Sequence, residues 1–434
     1  MAKKKTGLPV EETSFTEIDR IISNEFKNLI DLSKVDTKVK TWLDIGIYAL
    51  NYICSKNLFG AIPVGRVSSI DGLTGTAKSL LVSSLMKDSQ LDYILLIETE
   101  GGGNSAELLE FAGVDLKKVR VIKANTFENY KMKKSDSSIE EVNDNKFPKN
   151  KKEDDKFIYK EGATRIVRRF LNAIEFNKIN KNILMVIDSL GNLSSVREFS
   201  GTPDMGAKPK AIATFFRSFD LAFERSSVSF IFTNKLYTNI GNKWEPWKVT
   251  GGVNTEYNPS LSIRLTDTSE TDDIADKDMK VEKERRKSAL GSSLKTVRAK
   301  IVKSRFGTEM RQVPFLLDFS VGPVRYSGLF TLLQDFGVIT KVSGAYYKID
   351  GIFNDKSFYK KDFVDLMTKK GKDIESAHLD ILQQKLEKRE YEIKEGKVEF
   401  QSSGMEPTVE ESSEEVENEE FSDLKKAMTR DVEK

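Results

Sequence analysis

Lys78 and Ser79 close the octet Gly72-Leu73-Thr74-Gly75-Thr76-Ala77-Lys78-Ser79, whose residue types and spacing suit the holding of a phosphate chain. In such a turn the backbone N–H groups point at the phosphates, and the dipole of the following helix favours their negative charge. Lys78 would reach the β- and γ-phosphates of a nucleoside triphosphate, and the Ser79 hydroxyl would hold Mg2+. One position departs from the pattern G-x-x-x-x-G-K-[ST]: the residue before the lysine is Ala77. An accidental Gly-rich turn is the competing reading of the octet by itself.

Two further carboxylates stand where such a site would use them. Asn182 to Ser189 reads as a buried strand ending in Asp188, the position from which a carboxylate orients the magnesium shell opposite the phosphate-loop hydroxyl. Tyr93 to Glu100 reads as another strand, followed by Gly101-Gly102-Gly103. Open parallel sheets gather their chemistry at the carboxyl ends of strands, so Glu100 is placed to align or deprotonate an attacking water. Glu98 is the rival for that role, and a helix-capping or surface role is the bland alternative for both.

A third cluster has a different chemistry. Phe232-Thr233-Asn234-Lys235 runs into a Gly/Pro/Asn-rich stretch ending at Gly251-Gly252, which carries Lys243, Trp244, Trp247 and Lys248. Rings beside cations suit single-stranded nucleic acid, where bases stack and phosphates pair with lysine. A loop folded onto the protein through its own tryptophans is the equal alternative.

The elements that must position these residues follow from periodicity. Arg66 to Ile70 predicts a strand and Leu80 to Met86 a helix, which brackets the octet as a phosphate loop requires. Apolar runs at Tyr93–Ile97, Val119–Ile122, Ile183–Ile187 and Ser229–Thr233 alternate with helical segments such as Arg165–Phe176 and Ala211–Phe223. That alternation predicts an α/β fold with a mostly parallel central sheet covered on both faces. Ser14 to Leu32 has helical spacing and predicts an amphipathic helix ahead of the core. The organisation expected is an N-terminal helical segment over 1–40, a core over 41–349, a Lys-rich helical region over 350–404 and a tail over 405–434.

Two charged stretches, Lys131 to Lys160 and Glu270 to Ser293, read as exposed insertions in the core. The tail from Met405 to Glu420 holds eight Glu and no Lys or Arg, a composition expected to be disordered.

Composition removes several chemistries. The 434 residues carry one cysteine, Cys54, and one histidine, His378, so a single chain has no intramolecular disulfide and no zinc site built from Cys and His alone. Cys54 sits in an apolar run and reads as a buried thiol. The net charge of +2 means that any nucleic-acid binding must come from a local patch. No run has the length of a signal-peptide core or a bilayer span, so a cytoplasmic protein without membrane contact is expected.

In this order the pieces resemble the RecA-type strand-exchange recombinases, most closely the phage UvsX-like branch, over about Thr41 to Ile349. Val186-Ile187-Asp188-Ser189-Leu190 resembles the family's metal-site strand, and Asp204-Met205-Gly206 the end of its first DNA loop. Thr233-Asn234 and the stretch to Gly251-Gly252 resemble its second loop. The resemblance implies a RecA-like core with ATP and Mg2+ as cofactors. Arg197, Lys208, Lys210, Ile240, Lys243, Trp244, Trp247 and Lys248 would face DNA, with Ile240 at a position that wedges between bases. Asn234 and Lys235 would sense the nucleotide, Lys235 standing where the family's common sensor is glutamine. Lys303 and Arg305, in Val297 to Arg305, would cross to a neighbouring protomer's nucleotide and stabilise charge on the γ-phosphate.

The implied protein is a DNA-dependent ATPase that forms helical homo-oligomeric filaments on single-stranded DNA and exchanges strands with double-stranded DNA. Its partners would include a recombination mediator and a single-strand binding protein, in the host cytoplasm if phage-encoded. A RecA-core ring helicase and a non-catalytic ATP-binding mediator are the alternatives.

Overall fold

A computed structural model of the chain describes residues 38–100, 105–148, 156–202, 206–238, 247–252, 254–267, 294–319, 322–369 and 371–398. The expected N-terminal helix, the stretch from Glu270 to Ser293 and the acidic tail lie outside these residues, as do Ile240, Lys243 and Trp244. Contacts divide the chain into residues 1–40 and 41–434.

The second unit is built on a ten-stranded sheet. Its strands are β1 (Val67–Gly72), β2 (Tyr93–Glu98), β3 (Val119–Lys123), β4 (Ile183–Asp188), β5 (Val228–Thr238), β6 (Trp247–Val249), β7 (Leu261–Asp267), β8 (Leu294–Ser304), β9 (Gln312–Asp318) and β10 (Gly322–Pro323). The order is β10-β9-β8-β7-β1-β5-β4-β2-β3, with β6 paired to β5. From β7 to β3 every pairing is parallel, while β8, β9, β10 and β6 are antiparallel additions. The expected α/β fold with a mostly parallel central sheet is therefore present.

Alternation along each strand feeds two cores. Ile70, Ile94, Leu96, Leu184, Val186 and Ile231 face one, with helices α1 (Tyr48–Ser55) and α2 (Lys78–Leu85). Val67, Leu95, Ile97, Met185, Ile187, Phe230 and Phe232 face the other, under α3 (Ala163–Phe176) and α5 (Ala207–Ser226). On α5 the buried set Ile212, Phe215, Phe216, Phe219 and Phe223 recurs at helical spacing, which aims one apolar stripe at the sheet. Cys54 lies in the first core, and burial pushes its thiol far above the usual range.

The stretch from Lys131 to Lys160 is more ordered than its composition suggested. Tyr130–Lys133, Ile139–Glu141 and Phe157–Lys160 form a three-stranded antiparallel sheet. Its short apolar alternation is hidden among lysines, and one of those, Lys131, lays its ammonium 4.5 Å from the centroid of the Phe157 ring. Asp144 anchors the excursion to α3 through Arg165, 3.4 Å away, and Arg168.

The region over 350–404, expected to be helical, is not helical throughout its described residues, since it contributes the strand Phe358–Tyr359. Thr340–Ser343, Tyr346–Lys348 and Phe358–Tyr359 form another small sheet before helix α6 (Lys372–Lys394). Leu379, Leu382 and Leu386 of α6 enter the same core as α1. Glu390 ties the helix down, accepting from Tyr52 Oη at 3.0 Å and pairing with Lys56 and Arg311 at 3.0 Å each.

Candidate phosphate-binding and catalytic site

The octet folds as the turn from β1 into α2. A Cβ on Gly72 would collide with the Thr76 hydroxyl, which instead donates to the Leu73 carbonyl at 2.8 Å and tightens the loop. Gly75 has φ +80° and Ala77 φ +63° with ψ +33°. Position 77 is thus left-handed, which accounts for the glycine of the common pattern. An alanine methyl there costs on the order of 1 kcal/mol.

The first intrahelical bond is Leu81 N–H to Ala77 O at 3.1 Å, so the amides just ahead of it have no helical carbonyl to reach. Lys78 folds its Nζ back to the carbonyls of Gly72 and Leu73, at 2.9 and 2.8 Å. Burial, reinforced by the charge of Lys235, holds Lys78 below its usual range, while Asp188, Asp71 and Glu100 oppose the shift. Those charges all bear on one ammonium. Lys295 Nζ caps the loop from outside, donating to Gly75 O at 2.9 Å while pairing with Asp267 at 2.8 Å.

Asp188 ends β4, one strand removed from β1, and accepts from the Thr233 hydroxyl of the intervening β5 at 2.5 Å. Both groups are buried. Mg2+ takes one or two carboxylates and completes its shell with phosphate oxygens and water, so Ser79 with Asp188 is a donor set that suits it. Among the described residues there is no group of three or more His, Cys, Asp or Glu that could hold a metal.

Glu98 and Glu100 separate clearly. Glu98 stays within β2, buried opposite Asp188 and 3.5 Å from Lys123. Glu100 lies beyond Thr99, whose hydroxyl both donates to Ser189 O at 2.9 Å and accepts from Ser189 N–H at 2.8 Å. That lock sets Glu100 at the carboxyl edge of the sheet. Its Oε1 is 3.2 Å from Lys235 Nζ, 3.4 Å from Ser189 Oγ, and accepts from Asn192 Nδ2. Burial works to raise the Glu100 pKa, but the donors Asn192 and Lys235 prevail and hold it below the ordinary range.

Lys235 and Asn234 join this cluster to the neighbouring loops. The Asn234 amide donates to Thr250 O at 2.7 Å, and Thr250 N–H returns a bond to Lys235 O at 3.0 Å. Leu236 to Thr238, expected in the loop, instead extend β5 and pair with Trp247 to Val249, because Leu236 and Val249 bury each other across the hairpin. Trp247 is half-buried and Lys248 exposed on β6.

Arg197 is exposed on the short helix α4 (Val196–Phe199), capped where the Ser195 hydroxyl accepts from Glu198 N–H at 3.2 Å. The small sheet props this helix through the Tyr130–Phe199 ring contact, 5.3 Å between centroids. Lys210 is exposed in the first turn of α5, and Lys208 reaches back to Gly191 O at 2.7 Å.

Lys303 and Arg305 are not brought to this chain's own loop. Lys303 pairs with Ser262, and Ser262 with Ser69, three residues before Gly72 and so about 10 Å along β1. Its ammonium rests on the Glu256 carbonyl at 3.3 Å and on the Tyr257 carbonyl, while Arg305 is exposed. Sequence reasoning missed Asn192 and Lys295. The first had a weak signal, a polar residue just past a strand end; the second had none, because strand β8 reaches the loop only through the fold. Comparison with protein-family models and with curated proteins gave no match.

Proposed function

We propose that the chain is an ATP-dependent, Mg2+-requiring DNA strand-exchange recombinase with a RecA-like core, assembling as a filament on single-stranded DNA. The observation that carries the ATPase reading is the convergence of Lys78, Asp188, Glu100 and Lys235 at the carboxyl edge of β1, β4, β2 and β5. The octet's amides and Lys78 bind the phosphates, and Ser79 and Asp188 hold the metal, which supplies charge neutralisation when bound. With Oε1 tied up by three donors, Glu100 has Oε2 to take a proton from water.

The DNA reading draws on two loop ends fastened to this cluster, Lys208 on Gly191 and Thr250 on Lys235. Lys303 and Arg305, distant from their own loop, suit a role toward a neighbouring protomer. The test is electron microscopy of the protein with single-stranded DNA and a non-hydrolysable ATP analogue, beside turnover by Lys78→Ala. Long helical filaments and loss of turnover are expected. Discrete rings would point to a helicase, DNA binding without sustained turnover in the unaltered protein to a mediator, and unimpaired K78A turnover would remove the phosphate-loop assignment.

A further inference from the structure

Asn192 ends the single 3-10 turn Leu190–Asn192 that follows Asp188 and Ser189. Its amide works in both directions. Nδ2 donates to Glu100 Oε1, and Oδ1 accepts from Lys235 Nζ at 2.9 Å. Lys235 closes the triangle on Glu100 Oε1 at 3.2 Å. The carboxylate is 44% exposed and the ammonium 46%, so an ion pair alone would hold them loosely. An amide with one donor face and one acceptor face fixes both.

We propose that Asn192 is the positioning residue of Glu100: it anchors Oε1, turns Oε2 to the water, and keeps Lys235 beside the carboxylate. A carboxylate on a side chain with three rotatable bonds needs such an anchor. Thr99 fixes the backbone that precedes it, but nothing on β2 fixes the carboxylate itself. Ser189, at 3.4 Å, is the weakest of its donors. The turn bearing Asn192 is itself held, since Lys208 of α5 grips the adjacent Gly191 carbonyl and Asn192 N–H bonds Ser189 O at 3.1 Å.

This inference rests on the ATPase reading, and the two fail differently. Steady-state hydrolysis and binding of a non-hydrolysable ATP analogue are measured for wild type, Asn192→Ala, the near-isosteric Asn192→Asp and Lys78→Ala. N192A is expected to lower kcat on the order of 10- to 100-fold, the cost of a misplaced base, with KM and analogue affinity within twofold of wild type. N192D keeps the shape, loses the donor and sets a second carboxylate against Glu100, so its kcat falls at least as far. An N192A kcat within twofold of wild type, or a KM that rises in step with the loss, overturns the proposal. Loss of analogue binding in both Asn192 variants would assign the residue to folding and overturn it equally. If only N192A fails to fold, N192D decides, and its wild-type kcat would be the overturning result. Unimpaired binding and turnover in K78A would instead sink the phosphate-loop reading, whatever the Asn192 variants do.

Discussion

Lys235 Nζ stands 3.2 Å from Glu100 Oε1, an ion pair that spans β4 from the edge of β5 to the edge of β2. It joins the residue that begins the second candidate DNA loop to the carboxylate that would activate water. Lys235→Met should therefore let the Glu100 pKa rise, since one of the donors that depress it is gone. With Glu100 as the proposed base, hydrolysis would need the ionised carboxylate, so the acid limb of the variant's pH–rate profile should move to higher pH. Superimposable profiles would show that the pair does not govern the base.

Ala77 holds a left-handed backbone at φ +63°. Ala77→Gly should relieve that strain and stabilise the protein by about 1 kcal/mol, less the added freedom of the unfolded glycine. Urea unfolding monitored by circular dichroism reads this as a higher midpoint with the same slope. A lower midpoint would mean that the methyl contributes packing worth more than the strain.

Glu390 makes acid stability testable. Burial alone would raise its pKa, but Arg311 and Lys56 carry it from 4.5 down to about 2. A depressed carboxyl contributes stability that is present above its unfolded pKa and is lost as pH falls through the folded value. The contribution, up to about 3 kcal/mol, should disappear between roughly pH 4.5 and 2. Glu390→Gln should thus be markedly less stable than wild type at pH 7, with the gap closing across that window. A gap independent of pH would place the loss in shape rather than charge.

Lys208 spends its ammonium on Gly191 O, next to the amide that anchors Glu100. Lys208→Met should reduce the stimulation of hydrolysis at saturating single-stranded DNA by several-fold, more than it weakens DNA binding itself. Each lost phosphate contact lowers the salt slope of binding by about one unit, which measures the second effect separately. Equal losses in the two would make Lys208 an ordinary phosphate contact.

What the sequence disclosed divides by how local the cause is. The turn at Gly72 to Ser79 is encoded by its own residues, and Asp188 announces itself as a charge ending an apolar run. The choice between Glu98 and Glu100 needed the Thr99–Ser189 lock, a contact 90 residues apart in the chain. Lys295 was illegible for the same reason, being 220 residues from Gly75. The sheet near Tyr130 escaped because its strands are three or four residues long, too short for alternation to outweigh the surrounding lysines.

Among the described residues, strand β5 pairs on both edges from Phe230 to Phe232, on one edge with β1 from Thr233 to Lys235, and beyond that with β6. Mechanically it is a cantilever, built into the sheet at one end and carrying half-exposed Tyr237 near the other. A load on the tip produces its greatest bending moment at the root, and the root is Thr233, Asn234 and Lys235. Whatever pulls on the hairpin is therefore felt first by the side chains that touch Asp188 and Glu100.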